Sequence, residues 1–154
     1  MTEVTLREIT KETVRAVMRL EVAEAQKSFV APNSVSIAQA HFEPKAWFRA
    51  VYAGDEPVGF AMVHEDPDEG EYFLWRFMID HGHQGNGYGR RAIELITDRV
   101  RTLPGATRLL TSYVPGEGSP GPFYHRCGFV DTGEEEHGEL LTELVLDMGH
   151  NVTS

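Results

Sequence analysis

"HQGNGYGRR", residues 83–91, alternates glycine with other residues at positions 85, 87 and 89 and ends on two arginines. Glycine tolerates positive φ and lets the backbone approach a ligand closely. The run is therefore either a flexible surface loop or a cradle, and its neighbours separate the two. Upstream, "EYFLWRFMI" (71–79) carries aromatic residues on both faces and reads as a central strand. Downstream, "YGRRAIELITDRVRTL" (88–103) repeats Ala92, Ile93, Ile96 and Val100 at helical spacing. The glycines thus lie between a strand and the first turn of a helix. That turn leaves N–H groups unpaired beside the positive end of the helix dipole, a place suited to pyrophosphate. Arg90 and Arg91 add charge.

Two familiar phosphate loops do not fit. A Walker loop requires Gly-Lys-Ser/Thr, and no such lysine is present. A dinucleotide fingerprint requires G-x-G-x-x-G after the first strand of a βαβ unit, whereas Gly85, Gly87 and Gly89 follow a meander. The spacing that remains is Gln-x-x-Gly-x-Gly, as Gln84-Gly85-Asn86-Gly87-Tyr88-Gly89.

Outward from this motif the chain reads as one domain over 1–154. "EVTLREIT" (3–10) alternates as a strand. Thr10 is placed to cap a helix over about 11–26, with Val14, Val17 and Met18 on its buried face. "SIAQAHF" (36–42) is a short helix at most. "AWFRAVYAG" (46–54) and "VGFAMVHE" (58–65) form a hairpin about "GDEP". After the central strand and helix come a strand at 107–114, a short helix "PFYHRC" with Pro122 in its first turn, and two closing strands. The order β-α-α-β-β-β-α-β-α-β-β predicts an α+β or mixed α/β sheet. The last segment, "ELLTELVLDM" (139–148), is expected either inside the sheet or paired across a homodimer.

Acidic residues outnumber basic ones by 24 to 14, a formal charge of −10 that disfavours nucleic acid and permits a cationic substrate. The single cysteine, Cys127, excludes an internal disulfide and fits a reducing compartment. "MTEVTLREIT" lacks the apolar run of a signal peptide, and no stretch is long enough to span a membrane. A soluble cytoplasmic protein is expected.

A second motif, "FYHRCGF" (123–129), supplies Tyr-x-x-x-Gly-Phe through Tyr124, Gly128 and Phe129, some 35 to 40 residues beyond the first. With both motifs in this order, the chain resembles the GNAT superfamily of acyl-CoA N-acyltransferases. "RFMIDHGHQGNGYG" (76–89) and "QKSFVAPNSVSIAQA" (26–40) further resemble bacterial diamine and spermidine/spermine acetyltransferases. The resemblance implies a mostly antiparallel sheet of six to seven strands, a splayed central pair formed by the fourth and fifth strands, and about four helices. It also implies acetyl-CoA as cofactor and a small primary amine as substrate, attacking the thioester directly.

An alkyl amine with a pKa of about 10.4 must first lose a proton. Water or a carboxylate carries it away. The resemblance implies that backbone amides of Gln84, Gly85, Asn86, Gly87, Tyr88, Gly89 and Arg90 hold the pyrophosphate. It assigns the oxyanion donor to about Met78–Ile79 and the acid for the departing thiolate to Tyr124. Glu71 is the candidate base, with Glu21 and Glu24 on the first helix as candidates to line an acidic groove for a polyamine. Asp80 is either a turn residue or a neighbour of the cofactor loop. Arg76 is either paired internally or faces a groove. His81 and His83 form a pair without further ligands at metal spacing, so no metal is expected. Cys127 reads as a packing residue, and Trp47 and Trp75 as core or groove wall. The loop "VPGEGSPGPFY" (114–124) lacks the asparagine that relatives use on the pantetheine arm, and Ser119 or backbone groups are its expected substitute. Other readings are an acetyltransferase of an antibiotic, amino acid or protein N-terminus, or a non-catalytic acyl-CoA sensor.

Overall fold

The strand that precedes the glycines organises the molecule. The computed structural model describes residues 2–146. In chain order the elements are β1 (Val4–Arg7), α1 (Val14–Met18), α2 (Asn33–Phe42), β2 (Ala46–Ala53), β3 (Glu56–Asp66), β4 (Glu71–Ile79), α3 (Tyr88–Arg101), β5 (Arg108–Tyr113), α4 (Gly121–Arg126), β6 (Val130–Glu136) and β7 (Glu139–Val145). The strands form one sheet in the order β1-β2-β3-β4-β5-β7-β6. Neighbouring strands run antiparallel except β4 and β5, which are parallel and share a single register pair, Phe73 with Leu110. This is the splayed, mostly antiparallel sheet expected.

β4 is central because both of its faces are covered. Tyr72, Leu74, Phe77 and Ile79 join a core with α3, whose Ala92, Ile93, Ile96 and Val100 are all buried as the spacing predicted. Met78 and Trp75 join a second core on the other face, beneath α1 and α2. The register with β3 shifts between Met62 and Val63, opposite Arg76 and Leu74, so β4 carries a bulge at Trp75. A bulge moves every later side chain and backbone group to the opposite side of the alternation.

The first helical segment departs from the expectation of 11–26. α1 ends at Met18, and a single 3₁₀ turn forms at Glu24–Gln26. The reason is tertiary: the Glu21 N–H donates to Asp80 Oδ1 at 2.9 Å, and the Glu21 carbonyl accepts from the His81 N–H at 2.8 Å. A backbone used in this way cannot continue a helix. Thr10 does not cap with its side chain; its carbonyl accepts from the Thr13 and Val14 N–H groups. Val17 is buried and Val14 half-buried, but Met18 is exposed. α2 is longer than expected because Asn33 anchors its first turn, donating from Nδ2 to the Val17 carbonyl at 2.9 Å. β7 has β5 on one side and β6 on the other, so it offers no free edge for pairing across a dimer. Residues 147–148 of the expected last strand lie outside the described residues.

Candidate active site

Where β4 and β5 part, a cavity of about 500 Å³ opens between the end of β4, the glycine loop and the start of α4. Met78, Ile79, Gln84, Gly85, Gly87, Tyr88, Gly89, Arg90, Ser119 and Tyr124 all line it. Asn86 belongs to the same loop but does not line the cavity; its Nδ2 donates to the His83 carbonyl at 3.1 Å.

The loop has the properties of an anion cradle. Gly85 and Gly87 have φ of 85° and 80°, which side chains rarely adopt. Gly89 is needed for proximity instead, since a Cβ there would stand 3.1 Å from the Phe123 ring. Among the described residues, no group accepts a hydrogen bond from the N–H groups of residues 84–90; the first helical bond runs from the Arg91 N–H to the Gly87 carbonyl. Arg90 faces the cavity with no carboxylate partner among the described residues, whereas Arg91 is paired with Glu94 at 3.0 Å. This row of free donors at a helix N-terminus fits a pyrophosphate.

Two side chains hold the loop in place. Gln84 Nε2 donates to the Ile79 carbonyl at 2.9 Å and to Gln26 Oε1 at 3.0 Å, which locks the loop to the strand end. Asp80 accepts from the Glu21 and Gly82 N–H groups and contacts His83 Nδ1 at 3.1 Å. Burial pushes the Asp80 carboxyl up, but its hydrogen bonds with Glu21, His83 and Gly82 outweigh that and hold it below its ordinary value. Asp80 is therefore both a turn residue and a neighbour of the cofactor loop.

The bulge decides which amides face the cavity. The Asp80 N–H donates to Val58 on β3 at 2.8 Å, while the Ile79 carbonyl turns away from β3 to Gln84. Alternation then directs the N–H groups of Phe77 and Ile79 to the open edge and that of Met78 to β3. Met78 reaches the cavity with its side chain. Tyr124 stands across the gap, almost fully covered, with Phe123 stacked on Phe77 at 5.8 Å. Burial pushes its phenol up to about 12, against a lowering contribution from the Thr111 hydroxyl. The group is a protonated donor at neutral pH. Ser119 Oγ accepts from the Gly121 N–H at 3.2 Å at the start of α4.

The expected carboxylates are not gathered here. Glu71 lies at the opposite end of β4, eight residues and about 26 Å along the strand from Ile79, exposed and paired in register with Asp66. Glu21 and Glu24 contact Lys27 at 3.6 and 2.8 Å, and neither lines the cavity. Glu24 meets Lys27 three residues on, across the 3₁₀ turn, and Glu21 reaches the same ammonium from the break after Met18. Arg76 is half-buried and donates to Gln39 and to the Trp75 carbonyl, both at 3.1 Å, tying β4 to α2. Burial raises the Cys127 thiol against the pull of Arg90 and Arg126, which suits a packing residue.

Other lining residues escaped the sequence reading. Val22 and Gln26 come from the segment expected to be helical, and Val30 from the stretch that follows it. His83 lines the cavity and is held by Asp80 and by Glu56 at 3.3 Å. The Asp80-x-x-His83 spacing was a visible signal for the first of these contacts, while the Glu56 contact is long-range.

Residues 14–129 match the acetyltransferase (GNAT) family. The chain belongs to this family. It is an acyl-CoA N-acyltransferase, and acetyl-CoA is its acyl donor. Over 141 residues, 85% of this chain and 90% of the relative, it is 27% identical to the spermine/spermidine N(1)-acetyltransferase of Bacillus subtilis. Its fold is similar to that of spermidine N-acetyltransferase from Vibrio cholerae, solved with CoA and spermine (TM-score 0.71, 16% identity, 94% of this chain and 96% of that one). It is equally similar to the ribosomal-protein-S18-alanine N-acetyltransferase of Escherichia coli (TM-score 0.71, 15% identity, 96% of each chain). The GNAT fold is thus common to enzymes named for quite different amines. No helix among the described residues is long and apolar enough to cross a membrane.

Proposed function

We propose that this GNAT enzyme acetylates a small primary amine of the polyamine class, in the cytoplasm. The observation that carries acetyl transfer is the row of amides at residues 84–90, unpartnered among the described residues, which opens on the same cavity as the buried Tyr124 phenol. The polyamine class is supported by the 27% identity to a spermine/spermidine acetyltransferase and by the formal charge of −10, which favours a cationic acceptor. The lone cysteine suits a reducing compartment.

In this reading the amides of residues 84–90 and the Arg90 guanidinium hold the pyrophosphate. Acetyl-CoA supplies an activated thioester at the gap between β4 and β5. The Ile79 N–H polarises the acetyl carbonyl, and Tyr124 donates its proton to the leaving sulfur. Ser119 closes the cavity from the α4 side. The ammonium proton of the acceptor leaves through water, since Glu71, Glu21 and Glu24 stand away from the cavity.

The test is a thiol-release assay with acetyl-CoA against a panel of spermidine, spermine, a short diamine, free amino acids, an aminoglycoside and an N-terminal peptide. Spermidine or spermine is expected to give the highest kcat/KM. Turnover confined to the amino acids, the aminoglycoside or the peptide refutes the polyamine class. Acetyl-CoA binding without thiol release from any amine refutes the enzyme reading in favour of a sensor.

A further inference from the structure

The gap between β4 and β5 is open in its strand pairing, but loops close it farther out. The segment that follows α1 is fastened to the end of β4. Glu21 is held by Asp80 and His81, and the side-chain amides of Gln26 and Gln84 pair with each other at 3.0 and 3.4 Å. The same segment touches the chain that leaves β5. Gly118 lies so close to the Ala25 carbonyl oxygen that a Cβ there would overlap it, and a Cβ on Gly116 would stand 3.6 Å from the Phe29 ring. Residues 21–29 therefore bridge from one parted strand to the loop beyond the other, and the splay becomes a closed ring.

Both sides of the bridge are braced by hydrogen bonds of their own. The Ala23 N–H donates to Gln26 Oε1 and the Phe29 N–H to the Gln26 carbonyl, both at 3.0 Å. Across the contact, the Ser119 N–H donates to the Gly116 carbonyl at 3.1 Å. Val22, Gln26, Val30 and Gly118 line the cavity from the ring, facing Met78. Among the described residues no carboxylate lines the cavity, so nothing there is placed to hold an ammonium ion. A charge taken into such surroundings without a partner is costly.

We propose that this ring selects acceptors whose reacting amine ends an unbranched alkyl arm, with Phe29 and Gly118 setting the limit. The inference rests on the small-amine reading above. Acetyl-CoA held along the glycine loop takes one mouth of the cavity, and the acceptor is left the mouth that the ring frames. An arm of methylene groups threads that mouth end-on and packs on Val22, Val30 and Met78. Any charged group farther along the acceptor stays in solvent. An amine on a branched or ring carbon meets the bridge and must displace it. Gly118 sets the limit by letting the two backbones touch. Phe29 sets it by filling the space over Gly116.

The test compares trimethylenediamine with the analogue that carries two methyl groups on its central carbon, by thiol release from acetyl-CoA. For the parent, kcat/KM is expected to be about 30-fold lower for the branched diamine. Phe29→Ala is expected to bring the two within about threefold, chiefly by a gain on the branched one, with the calorimetric Kd for acetyl-CoA unchanged. Gly118→Ala parts the loops from the other side and is expected to narrow the ratio likewise. Its added Cβ also strains a φ of 86°, so Phe29→Ala decides alone where Gly118→Ala does not fold. Equal kcat/KM for the two diamines in the parent, or an undiminished ratio in folded Phe29→Ala, overturns the ring while spermidine turnover still upholds the polyamine class. If the parent uses no diamine or polyamine, that class falls, and the same comparison is made with glycinamide and valinamide. A strong preference for glycinamide that Phe29→Ala relaxes then upholds the ring. Equal use of the two amides, or thiol release with neither pair, overturns it.

Discussion

The two halves of β4 share β3 on one side and differ on the other. From Glu71 to Leu74 the strand is closed on both edges, with Phe73 in register with Leu110 and the Leu74 carbonyl taken by Thr111. From Phe77 to Ile79 its second edge is open, and the cavity, the glycine loop and Tyr124 gather there. An unpaired strand edge inside a protein is ordinarily a cost. Here it places backbone donors where a carbonyl can be polarised. The closed half maintains the fold, and in the function proposed the open half carries the chemistry.

That division can be broken at several points. Leu74, 1% exposed in the closed half, is expected to cost about 3 kcal/mol of unfolding free energy when changed to alanine, measured by urea titration. Once the variant is folded, its KM for acetyl-CoA is expected to be unchanged. In the open half the reverse holds. Tyr124→Phe is expected to lower kcat about 100-fold, with little change in acetyl-CoA affinity by calorimetry or in melting temperature. Gly87→Val places a β-branched residue at a φ of 80° on an open surface. It is expected to weaken acetyl-CoA binding about tenfold without unfolding the domain.

The pH dependence sharpens the same contrast. The folded-state Asp80 pKa lies below its unfolded value, so its contribution is fully present above the ordinary carboxylate pKa of about 3.9. It is lost as pH falls through the depressed value, and amide exchange in residues 80–90 is expected to rise there before exchange in β4 does. Tyr124 is shifted upward to about 12, so its contribution holds below the free tyrosine pKa and is lost as pH rises through about 12. An alkaline limb in the rate profile below pH 10 therefore belongs to another group. The smallest effect is expected for Glu71→Gln, with kcat/KM within about twofold of the parent because the residue is in the closed half. A loss of tenfold or more there reverses the assignment.

Much of this was legible from local patterns. Aromatic residues on both faces marked β4, four apolar residues at helical spacing marked α3, and Gly85, Gly87 and Gly89 marked the loop between them. What failed were readings that depend on distant partners. The helix expected over 11–26 stops because Asp80, some 60 residues later, takes the Glu21 N–H. Glu71 was placed on the right strand, but periodicity does not say which end of a strand is left unpaired. Gln84 was expected to hold pyrophosphate through its amide, and its side chain proves to be a strut against Ile79 and Gln26 as well.

By itself, the sequence determined the order of elements and singled out the glycine loop and Tyr124 as candidates, because φ preference, side-chain period and motif spacing are carried by residues near one another in the chain. The tertiary structure decided which edge of β4 is open, which amides face the cavity and how deeply Tyr124 is covered. Those depend on a one-residue bulge opposite Met62 and on where β5 stops pairing. A hydrogen bond left unmade is a relation between distant segments, and no single stretch of chain contains it.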